Sequence, residues 1–194
     1  MSLKDDAVKT IKTFQEAAGL AGLQWFLHAG TLLGAVRDMD FCPGDEDDID
    51  IGVFDEEFDR MASITEGSWF RVLSRFIYRE RVEGVKLQLC DNEVRIDISR
   101  MRLNPRNGDR YDIGTLNING DRVFCVNVYP EIHWRKFGMV NFHGVPCNIP
   151  NEPEVLLEYR YGANWRTPIH RDHFDWIKHL PDQQCVRLTY DGLI

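Results

Sequence analysis

Five carboxylates crowd one short stretch, Asp45, Glu46, Asp47, Asp48 and Asp50, and the last two alternate with Ile49 and Ile51. In an extended chain, residues two apart share a face. Asp48 and Asp50 then point one way and the two isoleucines point into a core. Two carboxylates side by side repel unless a cation lies between them, and hard divalent ions such as Mg²⁺ or Mn²⁺ prefer oxygen ligands. A merely solvated acidic loop does not account for the alternation with isoleucine. An EF-hand loop beginning at Glu46 would need glycine at its sixth position, where Ile51 stands. A further carboxylate, Asp97, alternates with Ile96 and Ile98, as a ligand on a neighbouring strand would.

Upstream lies His28-Ala29-Gly30-Thr31-Leu32-Leu33-Gly34-Ala35-Val36-Arg37. A glycine turn between a strand and a helix presents backbone N–H groups at a helix N-terminus, a setting that suits phosphate. An anion cradle followed by an alternating Asp pair supplies the two parts needed to hold a nucleotide diphosphate.

The elements that must position these residues can be read from periodicity. Apolar residues at helical spacing predict a helix over 3–18, with Ser2 as its cap. A short strand over 24–28 leads into the glycine turn and a helix over 31–37. Strands are expected over 48–53, 70–78, 85–89 and 94–99, with a helix over 55–64 and a hairpin turn at 91–93. Residues 104–120 are rich in Asn, Gly and Asp and read mostly as loop. Short strands over 123–128 and 139–145 and a helix over 154–161 complete the chain, and the tail from Thr167 has no clear period.

The composition is that of an ordinary globular protein: 194 residues, 43% hydrophobic and 28% charged, without repeats. A net charge of −8 argues against nonspecific nucleic-acid binding, which needs a basic surface. No run is long and apolar enough for a membrane span, and the first residues lack the order of a secretory signal, so a soluble, cytoplasmic protein is expected. The five cysteines, Cys42, Cys90, Cys125, Cys147 and Cys185, are scattered and contain no CxxC, which predicts reduced thiols. Were zinc bound, Cys125, His133, His143 and Cys147 would be its ligands.

Gly30 to Arg37, then Pro43, then Asp48-Ile49-Asp50-Ile51, closely resembles the LicD family, which includes bacterial phosphocholine transferases and the catalytic domains of fukutin and fukutin-related protein, within the nucleotidyltransferase-fold superfamily. Phe142-His143-Gly144, Ile149-Pro150, Leu156 to Tyr159, Tyr161-Gly162, Trp165 and Pro168 resemble the family's closing signature. Here Pro43 is followed by Gly44-Asp45 rather than Trp, one residue longer than the usual spacing. The first acidic position of the alternating triplet falls on Glu46.

The resemblance implies one α/β domain over residues 1–194. Its core, about 20–100, is a small mixed sheet flanked by helices, and an irregular β-rich lobe occupies about 101–194. It also implies transfer of phosphocholine, or of a polyol or sugar phosphate, from a CDP-linked donor to a glycan hydroxyl. Asp48, Asp50 and Asp97, with Glu46, would hold Mg²⁺ or Mn²⁺, and Asp97 would be the base. Gly30 and Thr31 would donate to phosphate oxygens. Arg37 would either fork onto the same phosphates or form a helix-surface salt bridge. Lys86 would either contact phosphate or stand solvated on its strand. His28 would either line the site or be a satisfied core histidine. The alternatives are a nucleotidyltransferase that attaches an NMP from an NTP to a small molecule, and a non-catalytic nucleotide-binding protein of the same fold.

Overall fold

A computed structural model describes residues 2–65, 69–118, 121–170, 185–189 and 192–193. The strands are β1 (Phe26–Leu27), β2 (Asp48–Phe54), β3 (Phe70–Tyr78), β4 (Arg81–Leu89), β5 (Arg95–Leu103), β6 (Arg110–Ile118), β7 (Asp121–Tyr129), β8 (Phe137–Phe142), β9 (Val145–Pro150), β10 (Cys185–Thr189) and β11 (Gly192–Leu193). The helices are α1 (Leu3–Leu20), α2 (Ala29–Arg37), α3 (Asp55–Thr65) and α4 (Pro153–Tyr161). The fold is mixed α/β.

β5 belongs to two sheets. Along its first part it pairs in parallel with β2 and antiparallel with β4, and its last residues, Arg102 and Leu103, pair with β6. The first sheet is mixed and runs β8-β9-β1-β2-β5-β4-β3, with β1–β9 and β2–β5 as its parallel pairs. The second is antiparallel and runs β5-β6-β7-β10-β11. The expected boundary near residue 100 therefore falls inside β5. β8 and β9 return to the first sheet, where β9 pairs with β1, and α4 contacts α2 and β9.

The strand period places the core. Ile49, Ile51 and Val53 of β2 and Ile96 and Ile98 of β5 are buried in one cluster with Ala7, Ile11 and Phe14 of α1 and Phe58 and Met61 of α3. α1 begins at a capping box: Ser2 accepts from the Asp5 N–H, and Asp5 accepts from the Ser2 N–H. Against the opposite polarity of the strand, Asp48, Asp50 and Asp97 are left on the face away from this core.

Two segments differ from the sequence reading. Residues 110–118, expected to be mostly loop, form β6, paired along its whole length with β7 from Arg110↔Tyr129 to Ile118↔Asp121. Cross-strand pairing outweighs the low intrinsic preference of Asp, Gly and Asn for strands. The single strand expected over 139–145 is a hairpin, β8–β9, turning at His143 and Gly144, both with positive φ (51° and 82°), as tight hairpin turns require.

Candidate active site

The register of β2, β5 and β4 sets the site. Asp50 lies directly beside Asp97, and Asp97 directly beside Lys86. Asp48 stands two residues from Asp50 and shares its face. Three of the expected acidic residues and Lys86 are thus brought to one patch. The Lys86 ammonium is 2.9 Å from Asp97 Oδ2 and 4.0 Å from Asp48 Oδ1. Arg95, next to Asp48 in the register, pairs with Asp47 at 2.6 Å and approaches Asp48 Oδ1 at 3.9 Å.

The glycine turn closes on this patch from β1. α2 starts at Ala29, with His28 as its N-cap residue. The Gly30 N–H donates to Asp50 Oδ2 at 2.9 Å, and the Asp50 N–H donates to Thr31 Oγ1 at 2.8 Å. Gly30 and Thr31 therefore grip Asp50 from both its backbone and its side chain. A methyl group on Gly30 would stand 2.6 Å from Asp45 Oδ2 and 3.2 Å from Asp50 Oδ2. Only glycine lets two carboxylates come this close to the helix start.

That contact singles out Asp45, which the sequence reading passed over in favour of Glu46. The Asp45 carboxylate reaches the start of α2 and adds to the negative field on Asp50, while Glu46 occupies the turn before β2. Gly44, just before Asp45, has φ near +80°, a conformation that favours glycine. The ring of His170 lies against Gly44 on its other side.

Burial raises the Asp50 carboxyl well above the usual carboxylate range, and Asp48, Asp97 and Asp45 push it the same way. Asp97 rises to about 6 for the same reasons, burial first and then Asp48, against the opposing pull of Lys86. Asp48 Oδ1 and Asp97 Oδ1 are buried without a hydrogen-bond partner. Buried acceptors of this kind ordinarily find a donor or a cation. Among the described residues, no three acidic, imidazole or thiol groups enclose a single point. The donor set is nonetheless all oxygen, the chemistry that Mg²⁺ or Mn²⁺ takes. The residues that could hold such an ion are Asp48, Asp50 and Asp97.

Arg37 lies apart from these groups. Its guanidinium grips both Asp38 oxygens, and it also reaches the Trp165 carbonyl at 3.4 Å and Cys42 Sγ at 3.6 Å. It ties the closing segment to the end of α2.

His28 is buried, and its backbone N–H donates to the Asp50 carbonyl at 3.1 Å. Its Nε2 is 3.0 Å from Asp112 Oδ2, which also accepts from the Tyr129 hydroxyl at 2.9 Å, while Asn127 Nδ2 donates to Asp112 Oδ1 at 2.6 Å. Arg160 of α4 donates to the Tyr129 hydroxyl. Burial lowers the His28 imidazole; it also presses the Asp112 carboxyl upward, but the hydrogen bond and charge of His28, the charge of Arg160 and the Asn127 hydrogen bond together hold Asp112 below its ordinary value. Asp112 sits in the segment read as loop, so only its alternation with Tyr111 and Ile113 hinted at an inward direction. Three residues of the alternative zinc set make separate contacts, His133 with the Asn151 carbonyl, His143 with Asp40 and Cys147 with the Val145 carbonyl, while Cys125 is buried on β7.

With the geometry in place, likeness to other proteins becomes informative. The chain is 27% identical over 146 residues to mouse (Mus musculus) ribitol 5-phosphate transferase FKRP, and 27% identical over 147 residues to its human (Homo sapiens) counterpart. Each match covers 73% of this chain but only 28% of the relative, so the chain spans little more than a quarter of those proteins. A crystal structure of ANT(2")-Ia in complex with adenylyl-2"-tobramycin aligns with a TM-score of 0.48 at 19% identity, covering 81% of this chain and 76% of the other. The family model described as LicD/FKTN/FKRP, nucleotidyltransferase domain, matches residues 22–152, a span that holds β1, the glycine turn and all of Asp45, Asp48, Asp50 and Asp97. The chain belongs to the LicD/FKTN/FKRP family.

Proposed function

We propose that the chain is a metal-assisted transferase domain that moves a phospho-substituent, phosphocholine or a polyol or sugar phosphate, from a CDP-linked donor to a glycan hydroxyl. The observation that carries this reading is the row Asp50–Asp97–Lys86 beside the start of α2, with Asp48 on the same face. It is supported by family membership and by relatives named as ribitol 5-phosphate transferases.

A divalent ion held by Asp48, Asp50 and Asp97 would neutralise the donor diphosphate and the charge that builds on the leaving group. The protein's own groups do the rest. The first turn of α2 directs its positive end at the phosphates, while Gly30 and Thr31 fix the direction of Asp50. The acceptor oxygen bonds to the phosphorus that bears the substituent, and the bond from that phosphorus to the bridging oxygen breaks. CMP leaves with the electron pair. Asp97, at about 6, takes the hydroxyl proton. Lys86, 2.9 Å from Asp97, stabilises its ionised form before the transfer.

The test is product analysis with Mg²⁺ present. Release of CMP from CDP-choline or CDP-ribitol is expected. Pyrophosphate from CTP, with no CMP from either CDP compound, would replace this reading with nucleotidyl transfer.

A further inference from the structure

We infer that a groove running from Asp97 across β4 and β3 is the seat of the acceptor, and that it takes a single hydroxyl-rich sugar or polyol unit. The inference rests on the transfer reading above for the word acceptor, but its ligand chemistry is read from the groove itself.

Two rungs of the first sheet build the floor. One is Asp50–Asp97–Lys86–Ser74 and the next is Gly52–Ser99–Gly84–Phe76. The first carries the charges. The second has almost no side-chain bulk between its ends: the Phe26 ring covers Gly52, and only a serine and a glycine separate that ring from Phe76. The sheet therefore has a trough one rung deep beside Asp97. Bulges in β3 fall on either side of Ser74 and Phe76, between Val72 and Ser74 and between Phe76 and Ile77. Such irregularities bend a strand and re-aim its side chains. β6 of the second sheet supplies the far wall through Ile113, Gly114 and Thr115.

The resulting cavity is about 270 Å³ and includes both Lys86 and Asp97 in its lining. That is just below the roughly 300–1,000 Å³ of most small-molecule sites, room for one sugar ring rather than a nucleotide. Beside Glu83 and the apolar Val85, Ile98 and Ile113, its lining holds three hydroxyl residues (Ser74, Ser99, Thr115), two half-exposed glycines and Phe76, whose ring packs on Phe124 with centroids 5.6 Å apart. Hydroxyl and backbone groups bind a polyol's edges, and an aromatic ring covers its C–H face.

Position decides which substrate lies here. The start of α2 follows β1, so the phosphate-favouring helix end lies on the β1 side of the carboxylates, while the groove lies on the β4–β3 side. An in-line displacement needs the attacking oxygen opposite the leaving group. A hydroxyl entering from the groove meets Asp97 first, with the phosphorus beyond it.

Saturation-transfer NMR tests this with the methyl glycosides of glucose, galactose and N-acetylgalactosamine and with ribitol as probes, on wild type, Ser99→Leu and Ser74→Trp. Ser74 is exposed at the rim, so its replacement does not threaten folding; circular dichroism checks both variants. The wild type should receive signal on at least one probe, and both variants should reduce that signal to background. Their affinity for CDP with Mg²⁺ should stay within about threefold of wild type, under 1 kcal/mol. No signal with any probe on wild type, or unchanged signal in folded variants, overturns the groove assignment. Loss of CDP affinity with sugar signal retained gives the groove to the donor and also overturns it. If wild type binds a sugar probe in the groove but neither binds CDP nor releases CMP from a CDP donor, the proposed function fails and the polyol site stands.

Discussion

Asp97 is where the two tasks of the proposed transfer meet, since it has Asp50 beside it on one strand and Lys86 beside it on the other. Asp97→Asn is expected to lower kcat by about 10²–10⁴-fold, the range for a lost general base, while affinity for CDP with Mg²⁺ changes only a few-fold. Turnover measured beside equilibrium binding checks the split; a parallel collapse of binding would make Asp97 only a ligand. Asp48→Asn and Asp50→Asn should each abolish transfer and weaken Mg²⁺ binding. Each should also raise the melting temperature without metal, because like charges no longer face one another. A metal titration and a metal-free melt read both effects. These three aspartates were legible in the sequence because alternation with isoleucine is a physical statement about faces. Asp45 was not legible, because it lies in the loop before β2, outside the strand alternation that marks faces.

The polar buried cluster shows how separate elements are held in one arrangement. His28 precedes α2, Asp112 lies on β6, Asn127 and Tyr129 on β7, and Arg160 on α4, and their hydrogen bonds join the start of α2 to the second sheet. Asp112→Ala strips acceptors from His28 and Tyr129 and removes a negative charge that acts on the half-buried Arg160. Destabilisation of about 3–5 kcal/mol is expected, read by urea denaturation, with Asp112→Asn costing less because its amide oxygen still accepts. No sequence rule brings together residues 28, 112, 129 and 160. The short elements at either end of this cluster, by contrast, follow from local pattern: the strand before Gly30 and the helix ending at Tyr161 both appear where periodicity and glycine stops place them. Long-range pairing supplied what local preference did not, above all in β6.

The whole molecule carries a charge of −8 and concentrates part of it on one patch, so its stability is coupled to protons and divalent ions. Asp97 has a folded value of about 6 against 3.8 ordinarily. A carboxyl raised on folding contributes stability that is full below its unfolded value and is lost as pH rises through the folded one. His28, lowered by burial, works in the opposite sense, losing stability as pH falls below its unfolded value. The clean observable is therefore the difference in melting temperature between Asp97→Asn and wild type without metal. It should be small near pH 4 and grow in the variant's favour as pH rises through about 6, and Mg²⁺ should erase it by stabilising the wild type. A difference that shrinks with rising pH would contradict the assigned cause. Finally, β5 has Asp97 locked between Asp50 and Lys86 while Arg102 is locked to Tyr111 of the other sheet. A strand held at both ends acts as a ruler with two-residue graduations. Removing or adding one residue between positions 97 and 102 must put either the reactive carboxylate or the whole second sheet out of phase.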